Sequence, residues 1–273
     1  WRIAVYRSDD DGSTWDGVDV ASPDVERNDK PWIAIDDAGG VHVVWYGFGT
    51  YGTSYVVSRD RGLTWSAPRV FPAAGWPFVA TGFDGHVYVS HPGPLYSSWD
   101  VVVSSDRGVT FGEQKRIAST PGSLPHMVAA DRSNVYAFMP ATDAVYFSRS
   151  TDRGATWSTP VRYAGPNGAW LPSVSVDPVT SEVVLTWQER VSATTARIMT
   201  TSSIDEGATF TPPRAVTPVF GASRPWGEYN QLATYRGLHI IVWSDDRGVF
   251  SSATIEPRAA EPPTVRRRRA VRR

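Results

Sequence analysis

The sequence predicts an all-β chain, a six-bladed β-propeller of four-stranded antiparallel blades, and three observations carry that expectation. An eight-residue pattern, Ser-x-Asp-x-Gly-x-Thr-aromatic, occurs five times in 273 residues. Its aspartates, Asp10, Asp60, Asp106, Asp152 and Asp205, with Asp246 in a decayed sixth copy, are separated by 50, 46, 46, 53 and 41 residues. The chain also holds 12 Trp, 11 Tyr and 10 Phe beside 23 Gly and 21 Pro, which suits short strands joined by tight turns rather than helices. Repeats of about 40–50 residues with four strands each are propeller blades, not helical solenoids.

The elements follow in order. Trp1-Arg2-Ile3-Ala4-Val5-Tyr6 alternates as a strand and enters the first copy, Ser8 to Trp15. Trp32–Ile35 and Val41–Trp45 are two strands around the turn Asp36–Gly40. Tyr55–Val57 then leads into the second copy, Ser58 to Trp65, and Pro68–Phe71 is extended again. The same grammar recurs at Phe78–Ser90, Met127–Phe138, Val174–Trp187 and Leu232–Trp243. The remaining copies are Ser104 to Phe111, Ser150 to Trp157 and Ser203 to Phe210. Every period therefore reads as strands A-B-C-D with the octapeptide between C and D.

The chemistry of the octapeptide is that of a turn. Glycine supplies positive φ, the aspartate accepts backbone N–H groups, and Ser and Thr add local hydrogen bonds. These aspartates are read as structural. The last copy, Ser244-x-Asp246-x-Gly248, keeps Phe250 but lacks the threonine, and a C-like strand, Val249–Ile255, follows. The propeller is expected to span residues 1–256, with strands from both ends sharing one blade so that no edge is exposed. Two C-type strands overlap in that arrangement, so a shortened N-terminus is the alternative.

Composition removes several classes. With 41% hydrophobic and 20% charged residues the chain is neither disordered nor a coiled coil. The absence of cysteine excludes disulfide scaffolds, thiol nucleophiles and cysteine-ligated zinc. No apolar run is long enough for a membrane helix. Six arginines crowd the last eight residues, so residues 1–265 carry 21 basic against 28 acidic side chains, a net of −7. That body is not built for nucleic acid. Residues 257–273 read as a Pro/Arg-rich disordered tail. Asp9-Asp10-Asp11-Gly12 lacks the distal glutamate of a calcium loop, and no metal or cofactor site is expected.

The repeated octapeptide resembles the Asp-box, or bacterial neuraminidase repeat, of the sialidase superfamily, and the resemblance covers residues 1–256. It implies a sialidase-like propeller that recognises, and in the enzyme reading hydrolyses, terminal sialic acid or another acidic sugar of a glycan. Asp-boxes also occur in non-catalytic propellers, so a protein- or carbohydrate-binding module is the alternative. The resemblance further implies a bacterial protein that is extracellular or at the cell surface, and we expect a monomer.

Connectivity puts any site on the face opposite the octapeptides, where the D-to-A and B-to-C loops meet. Arg27, Asn28, Asp29, Lys30, Trp76, His126, Trp170 and the run Arg224–Tyr229 fall there, with Tyr46, Phe48, Tyr51, His91, Tyr96, Gln188–Arg190 and Asp245–Arg247. Indole faces suit sugar rings and guanidinium groups suit carboxylates. By the resemblance, Tyr229 and Glu189 are the nucleophile pair, Asp29 the acid, and Arg190, Arg224 and Arg247 the arginine cluster. Trp76, Trp170 and Trp226 are candidate platforms. The family's Arg-Ile-Pro segment has no counterpart, because Arg2-Ile3-Ala4 lacks the proline. Plainer roles also exist: Trp45, Trp187 and Trp243 as core, Glu189-Arg190 as a surface pair, Arg224 with Glu228 as partners, and His42, His86 and His239 as strand residues.

Overall fold

The computed structural model describes residues 1–20, 27–48, 52–72, 75–119, 127–163, 165, 167–222 and 230–255. These residues are all-β apart from one 3₁₀ turn, Pro94–Tyr96, and no helix is long and apolar enough to cross a membrane. The first sheet pairs β1 (Ala4–Arg7) with β2 (Asp16–Asp19). The second is β3 (Asn28–Ile35), β4 (Val41–Gly47), β5 (Gly52–Ser58) and β6 (Arg69–Pro72). The third is β7 (Phe78–Thr81), β8 (Val87–Pro92), β9 (Trp99–Ser104) and β10 (Lys115–Ala118). The fourth is β11 (Met127–Asp131), β12 (Asn134–Pro140), β13 (Val145–Ser150) and β14 (Val161–Tyr163). The fifth comprises β15 (Ala169–Val176), β16 (Val183–Arg190), β17 (Thr195–Ser203) and β18 (Arg214–Ala215), with β19 (Phe220–Gly221) also pairing β17. The last is β20 (Gln231–Tyr235), β21 (Leu238–Asp245) and β22 (Gly248–Ile255). Every pairing is antiparallel and, apart from β17 with β19, between chain neighbours, as hairpin connections dictate.

The sheets stack face to face in chain order. One apolar cluster joins the first and second sheets through Ile3, Val20, Val43 and Trp45. Further clusters join second to third, third to fourth, fourth to fifth and fifth to sixth. The inner strands β3, β7, β11, β15 and β20 are successive neighbours. A sheet covered on both faces needs apolar residues on both, so β5, β8 and β12 are buried along their whole length. Trp45, Trp187 and Trp243 belong to this core, and Trp45 Nε1 donates to Asn28 Oδ1 at 2.9 Å. His42 and His239 are buried strand residues, whereas His86 lies in the turn before β8.

The five complete octapeptides adopt one turn. In the fourth, Ser150 Oγ accepts the Gly154 N–H at 2.8 Å and donates to Asp152 Oδ1 at 2.7 Å. Asp152 then takes the Thr156 N–H at 2.8 Å and its hydroxyl at 2.6 Å. The same bonds recur at Asp10, Asp60, Asp106 and Asp205. Gly108 has φ +78°, and a Cβ there would run into the Tyr55 hydroxyl of the neighbouring sheet, so only glycine fits. In four of the five turns the closing aromatic reaches the preceding sheet. Trp65, Phe111, Trp157 and Phe210 pack into successive inter-sheet clusters, while Trp15 is 60% exposed.

Two expectations need correction. Asp246 is not in an octapeptide turn: Asp245 pairs with Gly248 in register, so residues 245–248 form the tight B-to-C hairpin between β21 and β22. The lost threonine removes the bonding that organises the other five. The two chain ends do not share a sheet among the described residues either, because β22 occupies the outer edge of β21 while β1 and β2 pair only with each other.

Candidate functional site

Strand register fixes the two ends of the molecule. In the second sheet Ile35, Val41 and Ser58 align at one end, and Asn28, Gly47, Gly52 and Pro72 at the other. The octapeptide turns thus share an end with the A-to-B turns, and the loops read as functional occupy the opposite end. The run Arg224–Tyr229, with Arg224, Trp226, Glu228 and Tyr229, lies outside the described residues, as do Tyr51, His126 and the tail 257–273.

Two strand starts at this end carry an irregularity of the same kind. Register shifts between Asp29 and Trp32 in β3, and between Trp170 and Ser173 in β15. Lys30 and Leu171 take positive φ, +56° and +50°, just before Pro31 and Pro172. Such bulges re-aim the side chains beside them.

Around the first bulge, Asp29 Oδ1 accepts the Lys30 N–H at 2.8 Å. Lys30 Nζ is 3.9 Å from Asp29 Oδ2 and 4.3 Å from the Trp76 ring centre. Asp29 of the second sheet and Trp76, on the segment that leads into the third, are therefore linked through one ammonium. Arg27 lies 5.3 Å over Phe48, which meets Tyr46 edge to face.

Around the second bulge, the Arg190 guanidinium sits 4.7 Å from the Trp170 ring centre. Glu189, 7% exposed, receives both Nε and Nη2 of Arg197 on its Oε2, each at 2.5 Å. Arg197 escaped the sequence reading because only the register, with Glu189 opposite Arg197, brings it to the carboxylate. Gly165 packs directly on the Glu189 side chain, leaving no room for a Cβ.

Arg247 is engaged elsewhere. It forks onto Asp245, with Nη2 at 2.5 Å from Oδ2, and lies 4.8 Å from the Phe250 ring centre. Its side-chain hydrogen bonds hold the Asp245 carboxyl below the usual carboxylate range. No hydrogen bond or ion pair among the described residues joins Arg247 to Arg190, Glu189 or Asp29. His91 is fully buried, and burial pushes its pKa down. It serves the core rather than the surface. No group of three or more His, Asp or Glu among the described residues is placed to hold a metal ion.

No protein-family model and no curated protein matches this sequence. Solved structures do match its fold. The Hadza microbial sialidase Hz136 superposes with a TM-score of 0.60 at 18% identity, over 93% of this chain and 59% of that one. A Dyadobacter fermentans protein of unknown function gives 0.63 at 16% identity, over 93% and 84%. A mutant of the Aleuria aurantia lectin, in complex with α-methyl-L-fucoside, gives 0.54 at 13%, over 84% and 79%. This chain spans 59% of the length of the sialidase. What these likenesses establish is an all-β sialidase-like fold with several four-stranded antiparallel sheets.

Proposed function

We propose that the chain is a six-bladed Asp-box propeller that recognises an acidic sugar of a glycan on the face opposite its octapeptide turns. The observation that carries this reading is the Arg190 guanidinium over the Trp170 indole. An indole face takes the apolar side of a pyranose, and a guanidinium pairs with a carboxylate in fork geometry. Lys30 over Trp76 repeats the combination on another sheet. Arg224 and Trp226 complete the proposed binding set, with Arg247 joining it once released from Asp245. The fold likeness to a sialidase and to a lectin supports a carbohydrate ligand, and an exported, monomeric protein goes with it.

Hydrolysis in the manner of an exo-α-sialidase is the second reading, and Glu189 favours it. Among the described residues Arg197 alone pairs with this carboxylate, on Oε2, which leaves Oε1 to take a proton from a tyrosine hydroxyl. Tyr229 would be that nucleophile, suited to an anionic substrate that a carboxylate would repel, with Asp29 as the acid.

The test is a panel of acidic and neutral glycans titrated against the whole chain, together with turnover of a fluorogenic sialoside. Preference for acidic glycans, weakened by Arg190→Ala and by Trp170→Ala, is expected. Binding of neutral and acidic glycans alike, or of none, would count against the first reading and favour a protein-binding module. Turnover that disappears in Tyr229→Phe would establish the second reading, and its absence in both proteins would remove it.

A further inference from the structure

The end of the molecule that carries the octapeptide turns has an opening of its own. The turns that follow β3, β7, β11 and β15 converge there around a cavity of about 240 Å³. Its walls are apolar at Ile35, Phe83, Val176 and Pro178, and three aspartates, Asp36, Asp37 and Asp131, also line it.

Two of the three carboxylates are accounted for. Asp36 accepts the backbone N–H groups of Ala38 and Gly40, faces His42 Nε2 at 3.1 Å, and lies 3.4 Å from Arg107. Asp37 takes the Arg107 guanidinium at 2.5 Å. Asp131 differs: it is 5% exposed, lines the cavity, and has no side-chain hydrogen bond or ion pair among the described residues. Its oxygens open onto the cavity rather than being sealed from water, where a cation that enters can reach them. No nearby cation of the chain pairs with it. Burial pushes the His42 pKa down, so that ring is neutral at pH 7. Arg132, next along the chain, is exposed and forms no ion pair among the described residues.

We propose that this cavity binds a small aliphatic organic cation, a primary alkylammonium that pairs with Asp131 and lays its carbon chain on the apolar wall. Phe83, 42% exposed, lines the same cavity and supplies an aromatic neighbour for the charge. A hydrated divalent ion suits the site less, because the lining is largely carbon and no three-ligand group is present among the described residues. The site is at the opposite end from the proposed glycan face, so the two readings stand or fall separately.

Calorimetric titration of the whole chain tests it, with n-butylammonium, n-butanol, calcium chloride and N-acetyl-lysine methylamide as the probes at up to about 10 mM. Saturable binding of n-butylammonium is expected, at least about tenfold weaker in Asp131→Asn and also weaker in Phe83→Ala. Phe83 is exposed enough to be truncated without unfolding, and it carries the test if Asp131→Asn does not fold. Binding of the lysine amide as well as n-butylammonium assigns the ligand to a peptide side chain, and binding of n-butylammonium alone to a free amine. Equal binding of n-butanol, binding of calcium in place of the amine, no saturable binding, or affinity unchanged in both variants would overturn the proposal.

Discussion

Ser150 Oγ, 1% exposed, holds the Gly154 N–H at 2.8 Å on the inner side of a turn whose aspartate faces solvent. The hydroxyl is the hidden half of the motif. Ser150→Ala leaves the buried Gly154 N–H without a partner, and we expect a loss of about 1–3 kcal/mol in chemical denaturation. In the first copy Ser8 is only half buried, and water can replace its hydroxyl. Ser8→Ala should cost visibly less, and equal losses would mean that burial does not set the value of this bond.

The same turns set the response to acid. Bonds from threonine and serine, side chain and backbone, hold Asp10, Asp60 and Asp106 at about 2, against an ordinary value of 3.8. Asp152 is held there by the same bonds against its partial desolvation. A carboxylate whose folded pKa is depressed contributes stability above its unfolded pKa and loses it as pH falls towards the folded value. Burial depresses His42 and His91 in turn, and a neutral buried imidazole begins to cost stability once the unfolded ring protonates, near pH 6.5. The melting temperature should therefore decline gently below about pH 6.5 and steeply between about pH 4 and 2. Thr156→Val should soften the steep limb and leave the gentle one unchanged.

Glu189 and Arg197 form a pair in which one member is buried and the other reaches solvent. Arg197→Ala leaves a buried carboxylate without its cation, at a cost of about 1–3 kcal/mol. Glu189→Gln in the same background should restore part of it, because the amide need not remain charged. A double variant no more stable than Arg197→Ala alone would mean that Arg197 acts through packing of its stem.

Most of the fold was legible because its signal is local. A turn that recurs at fixed spacing needs only its own eight residues, and the Ser–Asp–Gly–Thr bonds are all made within four positions. The alternating ends of the strands then followed from connectivity. Asp246 misled because three matching letters outlived the threonine that makes the turn, and the missing threonine was the local sign that this is a B-to-C hairpin. The site was less legible, since its partners are set by register across strands. Glu189 meets Arg197 eight residues away, and Lys30 of the second sheet meets Trp76, just ahead of the third. No spacing rule along the chain announces either contact.

The aromatic that ends each octapeptide offers a test of how the sheets hold together. Phe111 packs edge to face on Tyr55 and Phe71 of the preceding sheet, with ring centres 5.0 Å apart in both cases. Phe210 meets Phe147 in the same manner at 4.9 Å. Truncating either ring removes apolar contact from an inter-sheet cluster and leaves a void between two rigid sheets, so Phe111→Ala or Phe210→Ala should cost about 2–4 kcal/mol. Trp15 occupies the equivalent position in the first sheet, yet most of its surface is in water. Its removal forfeits little burial, and Trp15→Ala should change stability by less than about 1 kcal/mol. Thermal denaturation of the three variants decides the matter. If Trp15→Ala proved as costly as Phe111→Ala, the first sheet would have to be packed against another one, and the stack of sheets would close on itself through that tryptophan.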